Sequence, residues 1–427
     1  MTESFLHYVW QFQYFNKNAL ATPEGAMIEV FNPGIHNTNA GPDFSNAKVR
    51  IEGMDWAGSI EIHTRSSVWL EHLHDRDPAY ENVVLHVVWQ NDKPIYRADK
   101  TLLPTVELKD RVDQALITEY EKLVNNPSSI PCRKSFSKVS ELIRLSMLDK
   151  ALIQRLEMKA VQVTEILKQN NNDWQETAYQ VVARNFGFKI NSEPFLQLAQ
   201  VLPYKILLKH ADKPVQVEGL LFGLAGLLDV PVGDEYYQLL RREYNLLSQK
   251  YALSSRKLKK TQWRFLRLRP ANFPTVRMAQ FAALVIHRKN IFSKMFEIED
   301  FHPLRRLFST LQSEYWQNHY MFNRKSQQNV AELGDDSIDN ILINSVAPLL
   351  VANGKHLDQQ PLVDRAVQIL QQVPAENNAI IRIWKKLGYV PKTAFDSQAM
   401  IELYNNFCQR RNCLNCAIGA SLLKPRS

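Results

Sequence analysis

The chain has 427 residues, of which 45% are apolar and 22% charged, so it can bury a large core and is long enough for two or three domains. No apolar run reaches the roughly 20 residues that span a bilayer, and no cationic segment followed by an apolar run opens the chain. These patterns exclude an integral membrane protein and predict a soluble, cytoplasmic one. The four cysteines argue against a disulfide framework.

The net charge of +8 is unevenly distributed along the chain. Residues 1–110 contain nine lysines and arginines against fifteen aspartates and glutamates, a net charge of −6, which leaves +14 for the remainder. A basic region next to an acidic, histidine-rich one suits a polyanion held near a metal site. Solvated surface charge explains the same division, so the charge alone leaves both explanations open.

The N-terminal region is predicted to form a mixed sheet flanked by helices. Residues 5–15 have apolar side chains three or four positions apart, which predicts a helix that packs on the sheet. Residues 27–31, with Glu29 among them, read as the first strand. The loop that follows is rich in Asn and Gly and can bring His36 and Asn39 close to a ligand.

The next two strands carry the residues that indicate chemistry most clearly. Apolar and polar side chains alternate over much of residues 47–65, which is the two-residue period of strands. Glu61, His63 and Arg65 therefore share one face of the second of these strands. If the two strands pair as a hairpin, Asp43 at the start of the first can approach Glu61.

This pattern resembles that of the PD-(D/E)xK nuclease superfamily. There, Pro-Asp begins one strand, and the next strand carries an acidic residue, any residue and a base. The matching residues here are Pro42 and Asp43, then Glu61, Ile62 and His63, within the element order that the fold requires. The resemblance implies a restriction-endonuclease-like domain in which Asp43 and Glu61 hold Mg²⁺ or Mn²⁺. His63 stands where the superfamily usually has lysine.

Two classes of function fit these residues. In a metal-dependent nuclease, Asp43 and Glu61 would hold the ion, and the Ile62 carbonyl would complete its ligand shell. His63 would orient or deprotonate a water, and Arg65 would stabilise negative charge on the phosphate. In the alternative, the missing lysine marks a catalytically inactive module that binds nucleic acid or protein. Metal-dependent cleavage separates the two classes.

Five of the eleven histidines lie between His36 and His86. Three of the five, His72, His74 and His86, follow the motif. A short helix is predicted after Ser66 or Ser67. His72 and His74 are candidates for the pocket, but a spacing of two residues cannot place both on one helical face, which weighs against a joint metal site. His86 lies in a strand that is apolar on both faces, so we expect a central strand and a core histidine.

Beyond the sheet the chain is predicted to be mainly α-helical, which makes the fold α+β or α/β. Residues 125–138 are rich in Asn, Pro and Ser and form a predicted linker between a domain at 1–124 and a helical domain at 139–427. Leucines recur every three or four residues from about Ser140, which predicts a long amphipathic helix. Asp173 followed by Glu176 is typical of a capping box.

Residues 254–289 contain ten lysines and arginines and no acidic residue. Arginine forks bind phosphates and aromatic rings stack on unpaired bases, so the interleaved Trp263, Phe265 and Phe273 predict binding of nucleic acid, of either strand type. The same rings would equally suit a core. The candidate phosphate contacts are Lys259, Lys260, Arg264, Arg267, Arg269 and Arg277.

Three cysteines, Cys408, Cys413 and Cys416, lie close together near the C-terminus, and Cys132 is a fourth candidate ligand. Their spacing is typical of a thiolate site for zinc or an iron–sulfur cluster. Some nucleases of the resembled superfamily hold an iron–sulfur cluster with one cysteine and three C-terminal ones. Here Cys132 follows the motif instead of preceding it. Four reduced, buried thiols are the alternative.

Over nearly its full length the sequence is also similar to an uncharacterised bacterial family, domain of unknown function 2851. The segments that carry this similarity are GPDF, EIHTRSSVW, HDRDPAYENVVLHVVW, RPANFPTVR and CLNCAIG. The family implies no activity, so function has to be argued from the residues.

Overall fold

The structure is a computed structural model that describes residues 1–288 and 290–424. It contains two compact units, one formed by Met1–Met147 with the segment that begins at Leu403, and one formed by Leu148–Glu402. The first unit carries a mixed sheet with helices, and the second is mostly helical. The fold is therefore α+β, with the sheet in the N-terminal part of the chain as predicted.

This division differs from the predicted domain boundaries at 124 and 139. The first unit extends to Met147, and it also includes the chain from Leu403 onward. Cys413 and Leu423 are buried in the same core as the sheet residues, and the Tyr8 hydroxyl donates to the Ala420 carbonyl at 3.0 Å. A helical sequence pattern does not indicate which core a helix packs on, so the sequence could not reveal this return of the chain.

Six strands form the sheet of the first unit. They are β1 (Ile28–Asn32), β2 (Ile35–His36), β3 (Phe44–Ile51), β4 (Met54–Arg65), β5 (Val83–Gln90) and β6 (Thr105–Glu107). Their order is β1-β3-β4-β5-β6, and β2 pairs with β3. The pairings of β3 with β1, β2 and β4 are antiparallel, whereas β4, β5 and β6 are parallel. β5 is thus an interior strand, as its apolar pattern predicted.

The helices of the first unit cover the sheet and connect its strands. They are α1 (Glu3–Gln11), α2 (Val68–Glu71), α3 (Gln114–Val124) and, at the end of the chain, α19 (Ala417–Leu423). Thr2 caps α1 by accepting from the Phe5 N–H at 3.3 Å. Phe5, Val9 and Trp10 of α1 are fully buried in the same core as Ile60 and Ile62 of β4. The helical spacing predicted the burial of Phe5 and Val9 correctly, but the helix ends at Gln11 and Phe12, which the same spacing placed on the buried face, is 47% exposed.

The second unit is built from helices, with one small hairpin. The boundary between the units falls within α4 (Glu141–Gln169), which matches the long helix predicted from about Ser140. The Asp173 carboxylate caps the next helix by accepting from the Glu176 N–H at 3.0 Å, as the capping box predicted. Among the described residues, no helix combines the length and apolar character needed to cross a bilayer.

The remaining elements follow α4 in chain order. The helices are α5 (Trp174–Phe186), α6 (Ser192–Val201), α7 (Tyr204–Lys209), α8 (Pro214–Leu224), α9 (Glu235–Lys250), α10 (Pro274–His287), α11 (Ile291–Glu297), α12 (Phe301–Leu307), α13 (Glu314–Gln317), α14 (Asp335–Ile341), α15 (Ala347–Leu357), α16 (Gln360–Gln372), α17 (Ala379–Lys385) and α18 (Ala394–Glu402). The hairpin consists of β7 (His319–Met321) and β8 (Arg324–Lys325), and π-helical turns occur at Leu342–Val346 and Leu403–Cys408.

Candidate metal centre

The hairpin of β3 and β4 brings the two predicted carboxylates together. Phe44 pairs with Ile60 across the hairpin, which places Asp43 beside Glu61. Glu61 Oε2 accepts from the Asp43 N–H at 3.1 Å, and Asp43 Oδ2 accepts from the Ile62 N–H at 2.9 Å. Each carboxylate is therefore fixed by the backbone of the other strand, which leaves Glu61 Oε1 for other partners.

Two histidines, His63 and His74, lie beside Glu61 Oε1, and a third, His72, lies close to both of them. We call Glu61, His63, His72 and His74 the histidine–carboxylate cluster. Glu61 Oε1 lies 3.5 Å from His63 Nε2 and 3.3 Å from His74 Nε2. One nitrogen each of His63, His72 and His74 lies within 4.8 Å of the other two, and no other group of His, Cys, Asp or Glu in the described residues meets this criterion. Imidazole nitrogens with a carboxylate oxygen are common ligands of divalent transition metals.

A local reversal of the chain brings His72 and His74 to the same place. α2 ends at Glu71, and Leu73 adopts a left-handed conformation, with φ 59° and ψ 32°, before a 3₁₀ turn at His74–Arg76. The expectation that a two-residue spacing keeps the two rings apart is thus corrected, because it assumed a continuous helix. A left-handed leucine costs roughly 1–2 kcal/mol, and strain of this kind is often found at functional sites.

The centre of the cluster is buried. Glu61 and His63 are 5% and 2% exposed. Burial, together with the charge of Asp43, raises the pKa of Glu61 to about 9. Burial, followed by the nearby His86, lowers the pKa of His63 to about 2. A divalent cation would favour the ionised carboxylate and would bind neutral imidazole, so the ligands present fit such an ion.

His86 of β5 orients His63. His63 Nδ1 lies 2.9 Å from His86 Nε2, and His86 is fully buried in a central strand, as predicted. When His63 donates from Nδ1, its Nε2 is left unprotonated toward Glu61, which is the arrangement of a metal-binding histidine held by an outer partner. The low pKa of His63 makes it a weak proton acceptor near neutral pH. The geometry therefore suits a ligand role for His63 better than the predicted role as a base.

Helix α1 contributes two residues that the sequence analysis did not single out. His7 Nε2 lies 3.2 Å from Asp43 Oδ2, and the His7 ring lies 5.2 Å from the ring of His36, a predicted pocket residue. Glu3, one helical turn before His7, adds negative potential at Glu61. The four-residue spacing of Glu3 and His7 places both on one helical face. That spacing was the available signal, but the apolar face of the same helix dominated the pattern.

A cavity of about 450 Å³ opens beside His74. The Tyr80 ring stacks on His74 with 3.7 Å between ring centroids, and burial raises the pKa of Tyr80 to about 12. Arg76 and Arg97 also line this cavity, and Arg97 donates to the Val83 carbonyl at 3.1 Å. Guanidinium groups are suited to bind phosphate. Four acidic residues, Asp75, Asp77, Glu81 and Asp99, line the same cavity. The cavity therefore gives access to the histidine–carboxylate cluster, with both arginines and carboxylates in its lining.

Three of the predicted residues lie away from the cluster or face solvent. The Arg65 guanidinium is exposed and lies 3.5 Å from Glu71. Glu29 pairs with Arg50, at the end of β3 opposite Asp43. Asn39 is exposed in its loop. The structure brings together Asp43, Glu61, His63, His72 and His74, with His36 nearby, but it does not bring Glu29 to the same place.

All four cysteines belong to the first unit, and none of them forms a disulfide. Cys408, Cys413 and Cys416 are each 6% exposed, and Cys132 is half-buried. Burial, followed by the thiols of Cys416 and Cys413, raises the pKa of Cys132 to about 12. No three of the sulfurs come within 4.8 Å of one another. The thiols are therefore near neighbours without the close spacing of the three histidines.

The basic segment, residues 254–289, lies in the second unit, and its last residue, Lys289, is outside the described residues. Trp263 is 4% exposed and donates from Nε1 to the Ala225 carbonyl at 2.8 Å, so its ring is not available to stack on a base. Phe265 is half-buried against Phe273. Five of the six predicted phosphate contacts are exposed: Lys259, Lys260, Arg264, Arg267 and Arg269.

Arg277, the sixth predicted phosphate contact, is part of the core. It is 7% exposed, and its guanidinium lies over the Phe188 ring at 4.4 Å. It donates to Gln280 at 2.9 Å and to Asn272 at 2.5 Å. The structure corrects this prediction, because a buried guanidinium that is already hydrogen-bonded does not face a polymer in solvent. The sequence showed a basic residue but not its position on the inner side of α10.

Fold and geometry define an α+β protein with a histidine–carboxylate cluster, buried at its centre, beside a cavity. Over residues 3–379 the chain matches the family described as protein of unknown function (DUF2851), and it belongs to that family. This match confirms the family resemblance for the segments within residues 3–379, and the CLNCAIG segment lies beyond the matched residues. No curated protein and no solved structure matches the chain. The function must therefore be argued from the site.

Proposed function

We propose that the first unit is a metal-dependent hydrolase that cleaves nucleic-acid phosphodiesters on a PD-(D/E)xK-like scaffold. The observation that carries this proposal is the histidine–carboxylate cluster. Its three nitrogens lie within 4.8 Å of one another, and Glu61 Oε1 lies 3.3–3.5 Å from two of them. A buried carboxylate and a set of neutral imidazoles at such distances are best stabilised together by a cation.

The order of elements supports the nuclease-like scaffold. α1, β1, β3, β4, α2 and β5 follow one another, with the two-residue β2 inserted after β1. The first three of these strands are antiparallel neighbours, and β5 returns parallel to β4. Asp43 precedes β3 directly, and Glu61 and His63 lie on β4. These are the positions that the resemblance assigns to the acidic residue and to the motif that follows it.

The ligand atoms favour a transition metal over Mg²⁺. Mg²⁺ prefers oxygen ligands and keeps several waters, whereas imidazole is a ligand of first-row transition metals. Of the two expected ions, Mn²⁺ is therefore the better candidate, with Glu61, His63, His72 and His74 as ligands and Asp43 next to them. When bound, such an ion would supply Lewis acidity toward a phosphoryl oxygen and activate a water.

The chain's own residues would hold the ligands and the substrate in place. The Ile62 N–H fixes Asp43, and His86 fixes the His63 ring. Arg76 and Arg97 at the cavity are the candidate contacts for phosphate oxygens near His74, and a bound cation would offset the carboxylates of the same lining. We also propose that the exposed part of the basic segment binds nucleic-acid phosphates without sequence preference.

The test uses chelator-treated protein with labelled single- and double-stranded DNA and RNA. Mn²⁺ should restore cleavage, and Glu61→Gln and Asp43→Asn should each abolish it. Glu29→Gln is the matched control, because Glu29 is an exposed carboxylate of the same sheet, 3.8 Å from Arg50. Cleavage by Glu61→Gln at the wild-type rate would contradict the proposal. Binding of nucleic acid without cleavage under any divalent ion would instead favour the inactive binding module.

A second metal group at the cysteines is supported by one specific observation. Four cysteines from two distant parts of the chain lie in the same unit, and burial, together with the neighbouring thiols, raises the pKa of Cys132 and of Cys408. Tetrahedral zinc needs sulfurs about 3.8 Å apart, which is closer than any three of these sulfurs come. We therefore propose an iron–sulfur cluster over a single zinc ion.

A further inference from the structure

The second unit contains a cavity of about 570 Å³ that the proposed nuclease site does not use. Residues of α4 and α5 form part of its lining, together with Asn344 from the π-helical turn Leu342–Val346. One acidic residue, Glu376, lines it against four basic ones. The basic residues are Arg155, Lys159, Arg184 and Lys189.

Lys159 is held in this cavity by neutral groups. Its Nζ donates to Asn344 Oδ1 at 2.7 Å and to Gln398 Oε1 at 3.0 Å. No carboxylate of the described residues lies within 4.0 Å of it. Burial, followed by the charge of Arg155, lowers the pKa of Lys159 to about 7. The ammonium form has three hydrogens to donate, so one remains for a ligand in the cavity, and a bound anion would favour this charged form.

The acidic groups near Lys159 already have other partners. Glu402, fully buried, lies 3.4 Å from Arg155 Nη1. Glu376 accepts from Gln398 Nε2 and from the Ser397 hydroxyl. Arg184 and Lys189 form no ion pair within the part of the chain that the structure describes. Glu376 and Glu402 both favour the charged form of Lys159, but the four basic side chains outnumber these two carboxylates, so the cavity keeps a net positive charge.

The π-helical turn fixes the side chain that faces Lys159. Asn344 donates from Nδ2 to the Asn340 carbonyl at 3.1 Å, which directs its Oδ1 to the lysine. Asn185 donates to the same carbonyl at 3.1 Å. Single π-helical turns are rare and often occur at functional sites, because they shift side chains out of the regular helical register. The lining is therefore organised before any ligand binds.

We propose that this cavity binds a small phosphate-bearing molecule, with Lys159, Arg184 and Lys189 contacting its phosphate. Ammonium and guanidinium groups form their strongest hydrogen bonds with such anions, and the volume falls in the range of about 300–1,000 Å³ typical of small-ligand sites. A polymer bound by its backbone needs only exposed charge, whereas here a half-buried lysine lies inside a cavity. This site is independent of the proposed nuclease centre.

Calorimetric titration of the chelator-treated full-length protein with inorganic phosphate and with pyrophosphate tests the proposal. Both anions should bind, and Arg184→Ala and Lys189→Ala should each weaken pyrophosphate binding by about tenfold or more. Lys159→Gln should abolish it. The matched control is Lys168→Ala, since Lys168 is an exposed lysine near the end of the same helix α4 and does not line the cavity.

Three results would overturn the proposal. The first is that neither anion binds. The second is that Lys168→Ala weakens binding as much as the cavity variants do. The third is that a single-stranded oligonucleotide binds at the cavity residues and pyrophosphate does not displace it. The last result would mean a surface for polymers. If Lys159→Gln fails to fold, Arg184→Ala and Lys189→Ala still decide the question, because both side chains are at least partly exposed and their removal should not cost the fold.

Discussion

Replacing His72 with alanine should separate metal binding from folding. His72 is exposed, whereas the His63 and His74 side chains are 2% and 9% exposed. Truncating an exposed side chain should change the stability of the metal-free protein by about 0.5 kcal/mol or less. The same change removes one metal ligand. Removing a residue that only hydrogen-bonds to a metal ligand already lowers metal affinity by about 10–100-fold. Removing a ligand itself should therefore raise the Kd for Mn²⁺ by at least about 100-fold.

This difference converts into a measurable free energy. An ion that binds only the folded protein stabilises it by RT ln(1 + [M]/Kd), where [M] is the free ion concentration. With Mn²⁺ at about 100 times the wild-type Kd, the wild type gains about 2.7 kcal/mol. His72→Ala, with its Kd raised by about 100-fold, gains only RT ln 2, or about 0.4 kcal/mol. The expected difference of about 2.3 kcal/mol far exceeds the effect on the metal-free protein.

The assay is urea denaturation of chelator-treated protein with and without Mn²⁺, with the Kd measured by calorimetry. His302→Ala provides the control, because His302 is another exposed histidine and lies in the second unit. Equal stabilisation of wild type and His72→Ala by Mn²⁺ would refute the reasoning. So would an equal loss of stabilisation in His302→Ala.

Three further outcomes are expected. Reversing the charges of Arg264, Arg267 and Arg269 should reduce the slope of log affinity against log salt for nucleic acid by about 3, and an unchanged slope in fluorescence anisotropy would count against phosphate contacts. Anaerobically purified protein should contain iron, and the Cys413→Ser variant should not retain it. Elemental analysis that finds no metal in the wild-type protein would rule out this cluster. Burial raises the pKa of Glu218 from 4.5 to about 8, so folding favours its protonated form and stability is lost across this range as pH rises. Glu218→Gln should remove that loss in urea denaturation, and an unchanged pH profile would contradict it.

Features set by neighbouring residues were predicted well. The two-residue period located β3, β4 and the interior β5, and the three- to four-residue period located α4. The Asp173 cap formed as expected. Asp43 and Glu61 meet because they lie on one hairpin, where pairing of adjacent strands follows from short sequence separation.

Features that depend on distant parts of the chain were not predictable from one sequence. His7 reaches Asp43 only because α1 packs against the sheet. His72 and His74 converge only because Leu73 reverses the chain, and no glycine there gave a signal for a left-handed residue. Trp263 and Arg277 looked like a nucleic-acid surface because composition does not distinguish the inner side of a helix or loop from the outer side. Burial of these side chains is decided by tertiary packing.

The central claim, a metal centre at the histidine–carboxylate cluster, is tested most directly by anomalous diffraction from crystals of the protein grown with Mn²⁺. The account predicts one strong manganese peak within bonding distance of Glu61, His63 and His74, with His72 completing the ligands. A manganese peak elsewhere, with none at this cluster, would contradict the account. So would well-ordered density for the cluster that contains no manganese at a saturating Mn²⁺ concentration, with the His63–Glu61 contact unchanged.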